Sequence, residues 1–349
     1  MKILKSILLL LFLFNVSFGY SQEQKKYTNP VIDSVYADPS VLLANDGFYY
    51  VYATNTIIGN EHVNFALARS KDLVHWTFLG DAMPVKPIWA NQTSKLWAPH
   101  VIYDDVAKKY FMYFSSGNNK DEGMCIGIAT SESPQGPFTD KGEPLICGES
   151  FINIDPMAFD DSISGKHLLY WGSGFKPLKV QELTDDRMHF AEGSAPKDIV
   201  YTGKENKYTN LLEAPWVTYR DGYYYIFYSG DNCCGERASY AVMVSRSKHP
   251  FGPFISLGES NGTGSSVILE QKDFWCAPGH NAIAIDKAGN SWIIYHAINP
   301  DEKYLKDKDR KNVQDRRVML LDRIYYKDGW PYVNEGKPST SPVTAPVVE

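Results

Sequence analysis

Apolar and aromatic runs alternate with short polar turns along the chain, in pairs that predict β-hairpins. The clearest pair covers residues 216–219 (Trp-Val-Thr-Tyr) and 223–228 (Tyr-Tyr-Tyr-Ile-Phe-Tyr), separated by Arg-Asp-Gly at 220–222. β-Branched and aromatic residues favour strands, and an Asp-Gly turn between two such runs is typical of a hairpin. Glu213 precedes the first strand, where a carboxylate in an isolated hairpin would merely cap backbone amides.

The hairpin unit occurs five times in all, and a proline opens the inner strand of each copy. The prolines follow one another at spacings of 60, 57, 59 and 63 residues: Pro39, Pro99, Pro156, Pro215 and Pro278. A second marker keeps the same register, because Pro-Gln-Gly-Pro-Phe at 134–138 recurs 116 residues later as Pro-Phe-Gly-Pro-Phe at 250–254. Repeats of several short strands are typical of a β-propeller, whose blades bury one another's faces. We therefore predict an all-β fold, a five-bladed β-propeller over residues 29–335.

Two other architectures fit the pattern less well. The period-two aromatic runs exclude a helical solenoid, and a β-sandwich would not repeat its hairpins in fixed register. In a propeller the first strand of each blade lines the central channel, and successive strands alternate in direction. The residues before the five prolines should therefore meet at one mouth of the channel: Asp38, Trp97, Asp155, Glu213 and the segment 276–280.

The two ends of the chain differ from the repeats. Residues 1–21 carry Lys2 and Lys5, then an apolar core at 7–14, then small residues, which is the pattern of a secretory signal peptide. The apolar core is shorter than the ~20 residues that a membrane span needs. We predict a protein exported to the periplasm or the extracellular space, with no membrane span. Residues 336–349, rich in Pro, Ser and Thr, are predicted to be a tail and not a second domain.

The net charge limits the kinds of partner. It is −6, and it becomes −8 by subtraction if Lys2 and Lys5 are removed with the leader. A negative chain is a poor partner for nucleic acid or an anionic membrane surface. We expect a neutral substrate and a monomeric protein.

The cysteines are odd in number, so at least one should be unpaired: Cys125, Cys147, Cys233, Cys234 and Cys276. Their spacing fits no zinc motif. Because free cysteines are commonly buried and inert, we expect buried thiols. The alternative is a vicinal disulfide between Cys233 and Cys234 in a loop at the channel mouth.

Three carboxylates at one mouth repel one another, which favours a functional role over a structural one. Without a nucleophilic Ser or Cys motif, a phosphate loop or a metal motif, they suit acid/base hydrolysis of a glycosidic bond. A third carboxylate beside the acid would raise the pKa of that acid by like-charge repulsion. Trp97 is a candidate platform for a sugar ring, although propeller packing explains it equally well. Arg316 and Arg317 stand where the long charged loop at 298–316 rejoins a predicted strand and could reach the mouth, and Arg317 is a second candidate for substrate binding.

The order and spacing of these segments resemble glycoside hydrolase family 43, the five-bladed arabinanases, arabinofuranosidases and xylosidases, over residues 29–333. The matching segments are Ala-Asp-Pro-Ser at 37–40, Ile-Asp-Pro at 154–156, Leu-Glu-Ala-Pro at 212–215, Pro-Gly-His-Asn at 278–281 and Asp-Gly-Trp-Pro at 328–331. The resemblance implies that Asp38 is the general base and Glu213 the general acid. It also implies that Asp155 orients the acid and tunes its pKa.

The resemblance carries one further implication and one departure. It implies that His280 reaches the channel axis, where many members hold a calcium ion (Ca²⁺) or an ordered water cluster, and it implies no other cofactor. Several members have His before the base, and this chain has Ala37 there.

Competing interpretations remain. A retaining, fructan-cleaving propeller usually carries Asn-Asp-Pro-Asn and Arg-Asp-Pro segments, which differ from those here. A non-catalytic sugar-binding propeller would be expected to lose at least one of the three carboxylates.

The choice of substrate depends on the chain architecture. Members resembling β-xylosidases commonly append a β-sandwich, whereas here a short tail follows blade five. The segments 231–237 and 298–316 could wall a pocket. We therefore predict an inverting, exo-acting α-L-arabinofuranosidase acting on plant-type polysaccharide, then an endo-1,5-α-L-arabinanase, then a β-xylosidase.

Overall fold

Five antiparallel sheets form a closed ring in the computed structural model, which describes residues 25–59, 61–203, 205–306 and 313–348. The first strand of each blade contacts the first strand of the next, and that of blade five contacts that of blade one. Within each sheet the strands follow outward in chain order. The predicted five-bladed β-propeller is confirmed, while the predicted signal peptide lies outside the described residues.

The strands of the blades are as follows. Blade one contains Ser40–Leu43, Tyr49–Ala53, Ala66–Ser70 and Trp76–Asp81. Blade two contains Leu96–Asp104, Lys109–Gly117 and Met124–Ser131, with Thr139–Asp140 and Ile146–Cys147 outermost. Blade three contains Met157–Asp161, Lys166–Trp171, Leu178–Glu182 and Lys197–Val200. Blade four contains Leu212–Arg220, Tyr223–Gly230 and Ala241–Ser247, with Ile255–Ser256 and Val267–Leu269 outermost. Blade five contains Cys276–Ile285, Ser291–Ile298, Arg317–Lys327 and Trp330–Val333.

Short elements connect or close these blades. The helical ones are the α-helix Leu257–Asn261 and the 3₁₀ turns Ile88–Ala90, Lys207–Asn210 and Asn334–Gly336. Three two-stranded ribbons pair Thr56–Ile58 with Glu61–Val63, Tyr304–Lys306 with Val313–Asp315, and Lys26–Tyr27 with Val343–Thr344. The last ribbon packs part of the segment predicted as a tail against the N-terminal segment. Within the ranges described, no helix has the length and apolar character needed to cross a membrane.

The hairpin at 216–228 shows why the local sequence folds as it does. Arg220 pairs with Tyr223 across a two-residue turn, and both turn residues have positive φ, 49° at Asp221 and 77° at Gly222. A turn of this kind matches the twist of the flanking strands, and Asp-Gly is among the sequences that tolerate it best. The strands bury Ile226 and its aromatic neighbours in the core between blades.

The repeated Pro-x-Gly-Pro-Phe segments connect the third and outer strands of blades two and four. Each receives a hydrogen bond from a tyrosine of the preceding blade. The Tyr52 hydroxyl donates to the carbonyl of Pro134 at 2.5 Å, and the Tyr170 hydroxyl donates to that of Pro250 at 2.8 Å. The second sequence marker therefore corresponds to a repeated contact between blades.

Each residue before a blade proline has a left-handed backbone, which is uncommon outside glycine. The φ values are 55° at Asp38, 46° at Ala98, 58° at Asp155, 55° at Ala214 and 48° at Ala277. The surrounding structure must hold such a conformation in place, because it costs of the order of 1–3 kcal/mol. The proline spacing thus marks a repeated turn of the chain at the channel mouth.

Polar side chains at the ends of the second strands stabilise these turns from the neighbouring blade. Thr54 accepts the N–H of Ala98 at 2.9 Å, and Ser115 accepts that of Asp155 at 2.8 Å. In the last blade, Nδ1 of His296 accepts the N–H of Asp38 at 3.1 Å. These contacts link the starts of the inner strands of blades one, two and three to the blade before each of them.

The expectation of buried thiols is wrong for four cysteines. Cys125 and Cys147 form a disulfide, because they lie opposite each other on neighbouring strands of blade two. Cys233 and Cys234 form the vicinal disulfide that was the alternative. Cys276 is free, so the prediction of an unpaired thiol is confirmed within the described residues. Sequence spacing could not reveal the first pair, because the two residues are neighbours only across the folded sheet.

Candidate active site

A pocket of about 410 Å³ lies at the channel mouth, within the size range of small-molecule sites. Its lining contains every site residue predicted from the sequence, namely Asp38, Trp97, Asp155, Glu213, His280 and Arg317. The other lining residues are Phe151, Ile154, Leu211, Asn232, Cys233, Cys234 and Tyr240. The blade repeat therefore brings residues from all five blades to one cavity, as expected from the positions near the prolines.

Asp38 is surrounded by groups that favour its ionised form. Nη1 of Arg317 lies 2.8 Å from its Oδ1, and the Thr54 hydroxyl donates to its Oδ2. Burial alone would raise the pKa of Asp38, but Arg317, His280, His296 and the Thr54 hydrogen bond hold it well below its ordinary value. Asp38 is thus a carboxylate near neutral pH.

Two histidines also approach Asp38. Nδ1 of His280 lies 3.4 Å from Oδ1 of Asp38 and 3.7 Å from Oδ2 of Asp155. Burial lowers the pKa of His280 to about 4, with Asp38 opposing the shift and Arg317 adding to it. Burial and Arg317 hold the pKa of His296 well below its usual range. Both rings are therefore neutral near pH 7, and Arg317 carries the positive charge beside Asp38.

Glu213 is held by two hydroxyl donors. Ser173 donates to its Oε1 at 2.5 Å, and Tyr240 donates to its Oε2. Burial raises the pKa of Glu213 and the charge of Asp38 adds to this, while the two hydroxyls and Arg317 oppose it, and the net direction is upward. Glu213 therefore retains a proton to higher pH than an exposed glutamate.

Asp155 shares the pocket with the other two carboxyl groups and interacts electrostatically with both. Its Oδ2 accepts the N–H of Ala214, the residue after Glu213, at 3.1 Å. Burial, Glu213 and Asp38 raise the pKa of Asp155 well above its ordinary value. Because Asp155 and Glu213 repel each other in a buried site, the charge of each disfavours ionisation of the other. The Ala214 contact also fixes the start of the strand that carries Glu213.

The sequence analysis missed several residues that line the pocket or contact its carboxyl groups. Thr54 and Ser173 stand at the ends of second strands, so aligning the repeats at 54, 115, 173, 229 and 296 would have indicated them. Tyr240 and Phe151 lie in irregular segments between strands, where the repeat gives no register. Nothing in their local sequence distinguishes them from the many other aromatic residues.

The residues around His280 do not fit a calcium site. Calcium prefers several oxygen ligands. Nδ1 of His280 instead faces two carboxylates, one of which already contacts Arg317 and Thr54. No group of three or more His, Cys, Asp or Glu side chains in the described part of the chain is arranged to hold a metal ion. The described residues near His280 therefore supply no set of oxygen ligands for the predicted calcium ion.

One side of the pocket mouth is bridged by the ribbon of Tyr304–Lys306 and Val313–Asp315. The carboxylate of Asp315 accepts the N–H of Gly235, in the loop that carries the vicinal disulfide, at 2.9 Å. Gln314 contacts the Thr56 hydroxyl at 3.2 Å and the Asn55 carbonyl at 3.2 Å. The ribbon thus connects the rims of blades four and one.

The two arginines that end this loop have different surroundings. Arg317 lines the pocket, as predicted. Arg316, which the sequence also placed near the mouth, forms ion pairs with Asp33 and Glu302.

Comparisons with known proteins agree with this geometry. Residues 27–331 match the model of the glycosyl hydrolases family 43. A β-D-galactofuranosidase from Aspergillus niger is 30% identical over 319 residues, covering 87% of this chain and 83% of the relative. An extracellular exo-α-(1→5)-L-arabinofuranosidase from Cellvibrio japonicus is 28% identical over 288 residues, covering 76% and 79%. The crystal structure of a thermostable family-43 glycoside hydrolase superposes with a TM-score of 0.73 at 25% identity, covering 92% of this chain and 99% of that one.

Proposed function

Because the chain belongs to the glycosyl hydrolases family 43, whose members are inverting glycoside hydrolases, we propose that it is an exo-acting α-L-arabinofuranosidase. It would release terminal arabinofuranose from plant-type polysaccharide. The observation that carries the proposal is the meeting of three buried carboxyl groups in one pocket, where the surroundings lower the pKa of Asp38 and raise the pKa values of Asp155 and Glu213. An inverting hydrolase needs this division between a base and an acid.

In the proposed mechanism Asp38 is the general base. It removes a proton from a water molecule, and the oxygen of that water attacks the anomeric carbon. Arg317 supports this role because its charge keeps Asp38 ionised and its contact at 2.8 Å fixes one carboxylate oxygen. We expect the Asp38 and Glu213 carboxyl groups to lie about 6.5–9.5 Å apart, the spacing that leaves room for the water.

Glu213 is the proposed general acid. It gives its proton to the glycosidic oxygen as the bond to the leaving group breaks, so one water molecule is consumed and the anomeric configuration inverts. Asp155 is the proposed positioning residue, through its bond to the Ala214 amide and its repulsion of the Glu213 charge. Trp97 and Arg317 are the proposed substrate-binding residues, since both line the pocket.

Two observations support action on a chain end. The pocket is about 410 Å³, and the ribbon bridges one side of its mouth, whereas an endo-acting enzyme needs an open groove. The Cellvibrio relative is an exo-acting arabinofuranosidase. A second candidate is release of terminal galactofuranose, favoured by the Aspergillus relative at 30% identity. Endo-arabinanase and β-xylosidase activities are the other outcomes that the test must separate.

We propose that the protein works outside the cytoplasm, on the basis of the signal-peptide pattern and the extracellular Cellvibrio relative. N-terminal sequencing of protein recovered from a secreting host tests this. A start within about three residues of position 22 supports it, given the precision of such cleavage patterns. An intact Met1 in the recovered protein contradicts it.

A substrate panel tests the activity. We expect arabinose from aryl α-L-arabinofuranoside and from branched arabinan, with proton NMR showing the inverted anomer first. Oligosaccharides from linear arabinan would favour endo action, and galactose from a galactofuranoside would favour the second candidate. Activity on aryl β-xyloside alone would overturn the sugar assignment, and no activity on any substrate would overturn the hydrolase proposal.

A further inference from the structure

We propose that Phe151 and Phe175 form the subsite for the leaving-group sugar, an aromatic platform next to the pocket. This inference rests on the proposed function, since it assigns the group that departs when Glu213 donates its proton. It adds a specificity-determining surface to the pocket described above.

The two rings form a pair at the pocket edge. Phe151 lines the pocket, and its ring centroid lies 6.1 Å from that of Phe175 in an edge-to-face arrangement. The side chain of Phe175 is 61% exposed. Phe175 thus adds exposed apolar surface directly next to Phe151, which lines the pocket. Exposed apolar surface at a concave site commonly marks a contact with a ligand.

The turn that carries Phe175 is seated on the segment that carries Phe151. Gly174 packs so closely against this segment that an added Cβ would lie 2.9 Å from Cγ1 of Ile152. Phe175 itself has φ 61°, an uncommon conformation for a bulky residue. The close packing of Gly174 and the positive φ of Phe175 therefore fix the turn that presents the Phe175 ring at the surface.

The same turn is tied to the candidate acid. Its first residue is Ser173, whose carbonyl accepts the N–H of Lys176 at 3.3 Å and whose hydroxyl donates to Oε1 of Glu213 at 2.5 Å. One end of the turn thus contacts the acid and the other presents Phe175.

The position of the two phenylalanines in the propeller places them on the side of the leaving-group sugar. The contacts of Asp38 come from blades one and five, through Thr54, His280, His296 and Arg317. Both phenylalanines belong to blade three and the segment leading into it, beside Glu213 in blade four. The sugar that receives the proton from Glu213 must lie on the acid's side of the broken bond. The face of a phenyl ring suits the C–H face of a sugar ring, and the carboxylates suit its hydroxyl groups.

The experiment compares two substrates that differ only in the leaving group. The first is the oligosaccharide that the wild type cleaves best, and the second is the glycosyl fluoride of the same sugar and anomeric configuration, which has no leaving-group ring. Phe175→Asn removes the ring but retains a residue that tolerates positive φ, and Phe175→Tyr retains the ring. The matched control is Tyr325→Ala, because Tyr325 is 43% exposed and stacks on Tyr332 on the outer strands of blade five.

We expect Phe175→Asn to lower kcat/KM on the oligosaccharide by about tenfold more than on the fluoride, which is the scale of one aromatic contact. Phe175→Tyr should restore most of the loss, and Tyr325→Ala should leave the ratio unchanged. Equal losses on both substrates, or no loss on either, would overturn the subsite. If the wild type cleaves neither substrate, the proposed hydrolase activity fails first, so the two failures can be distinguished.

Discussion

Asp38 and Glu213 occupy comparable positions in blades one and four, yet their surroundings favour opposite protonation states. Both lie at the start of an inner strand, and both are 7% exposed, as is Asp155. A difference in burial therefore does not explain why Asp38 and Glu213 favour opposite protonation states. Arg317 contacts Asp38 directly and holds its pKa down, whereas Glu213 contacts two neutral hydroxyls, and burial together with the charge of Asp38 raises its pKa.

The difference shows where the chemistry of this propeller is encoded. The backbone repeat supplies five equivalent positions at the mouth, but the neighbouring blades supply the side chains that decide what each position does. Arg317 comes from the third strand of blade five and contacts Asp38, and Ser173 follows the second strand of blade three and contacts Glu213. The roles of the carboxylates are thus set by residues remote from them in sequence.

The most severe test of the comparison is to remove the ionised group. We expect Asp38→Asn to lower kcat/KM by at least about a thousandfold on every substrate, because no other group of the pocket is held as a free carboxylate beside Arg317. The oligosaccharide and the glycosyl fluoride should be affected alike. Thermal unfolding serves as the control for folding, and a loss below about tenfold on both substrates would refute the general-base role.

Replacing the acid should give a loss that depends on the leaving group. We expect Glu213→Gln to lower kcat/KM by about a hundredfold or more on the oligosaccharide, whose leaving oxygen needs a proton. The loss should be much smaller on the fluoride and on aryl glycosides with acidic phenols. A plot of the logarithm of the rate against the pKa of the leaving phenol measures this, and a slope equal to that of the wild type would contradict the assignment.

The sequence predicted more of this site than is common, because the site follows the repeat. The position before each proline is a repeated feature, so Asp38 and Asp155 could be placed at one mouth without coordinates, and Glu213 with them. Arg317 was also found, because it stands where a long charged loop rejoins a predicted strand.

The remaining features depend on contacts that have no periodic signal. Tyr240 lies in an irregular segment before the third strand of blade four, and its hydroxyl donates to Glu213. The Cys125–Cys147 disulfide and the pairing of Val343–Thr344 with Lys26–Tyr27 join segments whose partnership depends on the folded sheet. Pattern reasoning locates strands, but it does not show which irregular segments pack against one another.

The charge of Arg317 should determine the pH at which Asp38 becomes protonated. Replacing it with Met removes the cation that lowers the pKa of Asp38, while burial still raises that pKa, so the folded-state pKa must rise. Asp38 then becomes protonated at higher pH, and the acidic limb of the kcat/KM profile should move upward by about one pH unit or more. Arg317→Lys is the matched control because it keeps the charge but not the planar fork. An acidic limb that stays in place in Arg317→Met would contradict the electrostatic role.

The smallest expected effect concerns the hydroxyl of Tyr240. This hydroxyl donates to Oε2 of Glu213 and stabilises the ionised acid, so Tyr240→Phe should raise the pKa of Glu213. The basic limb of the kcat/KM profile, where the acid loses its proton, should then move to higher pH by several tenths of a unit, since one hydrogen bond to a carboxylate is replaced by none.

Asp155→Asn is the matched variant of opposite sign. It removes a carboxyl group that disfavours ionisation of Glu213, so it should move the basic limb to lower pH. It keeps an oxygen that can accept the N–H of Ala214, which preserves the backbone contact. Both substitutions conserve the shape of the side chain. A folding defect would lower the rates of both variants, but it would not move their basic limbs in opposite directions. If the two variants moved the basic limb in the same direction, Glu213 could not be the group that titrates there.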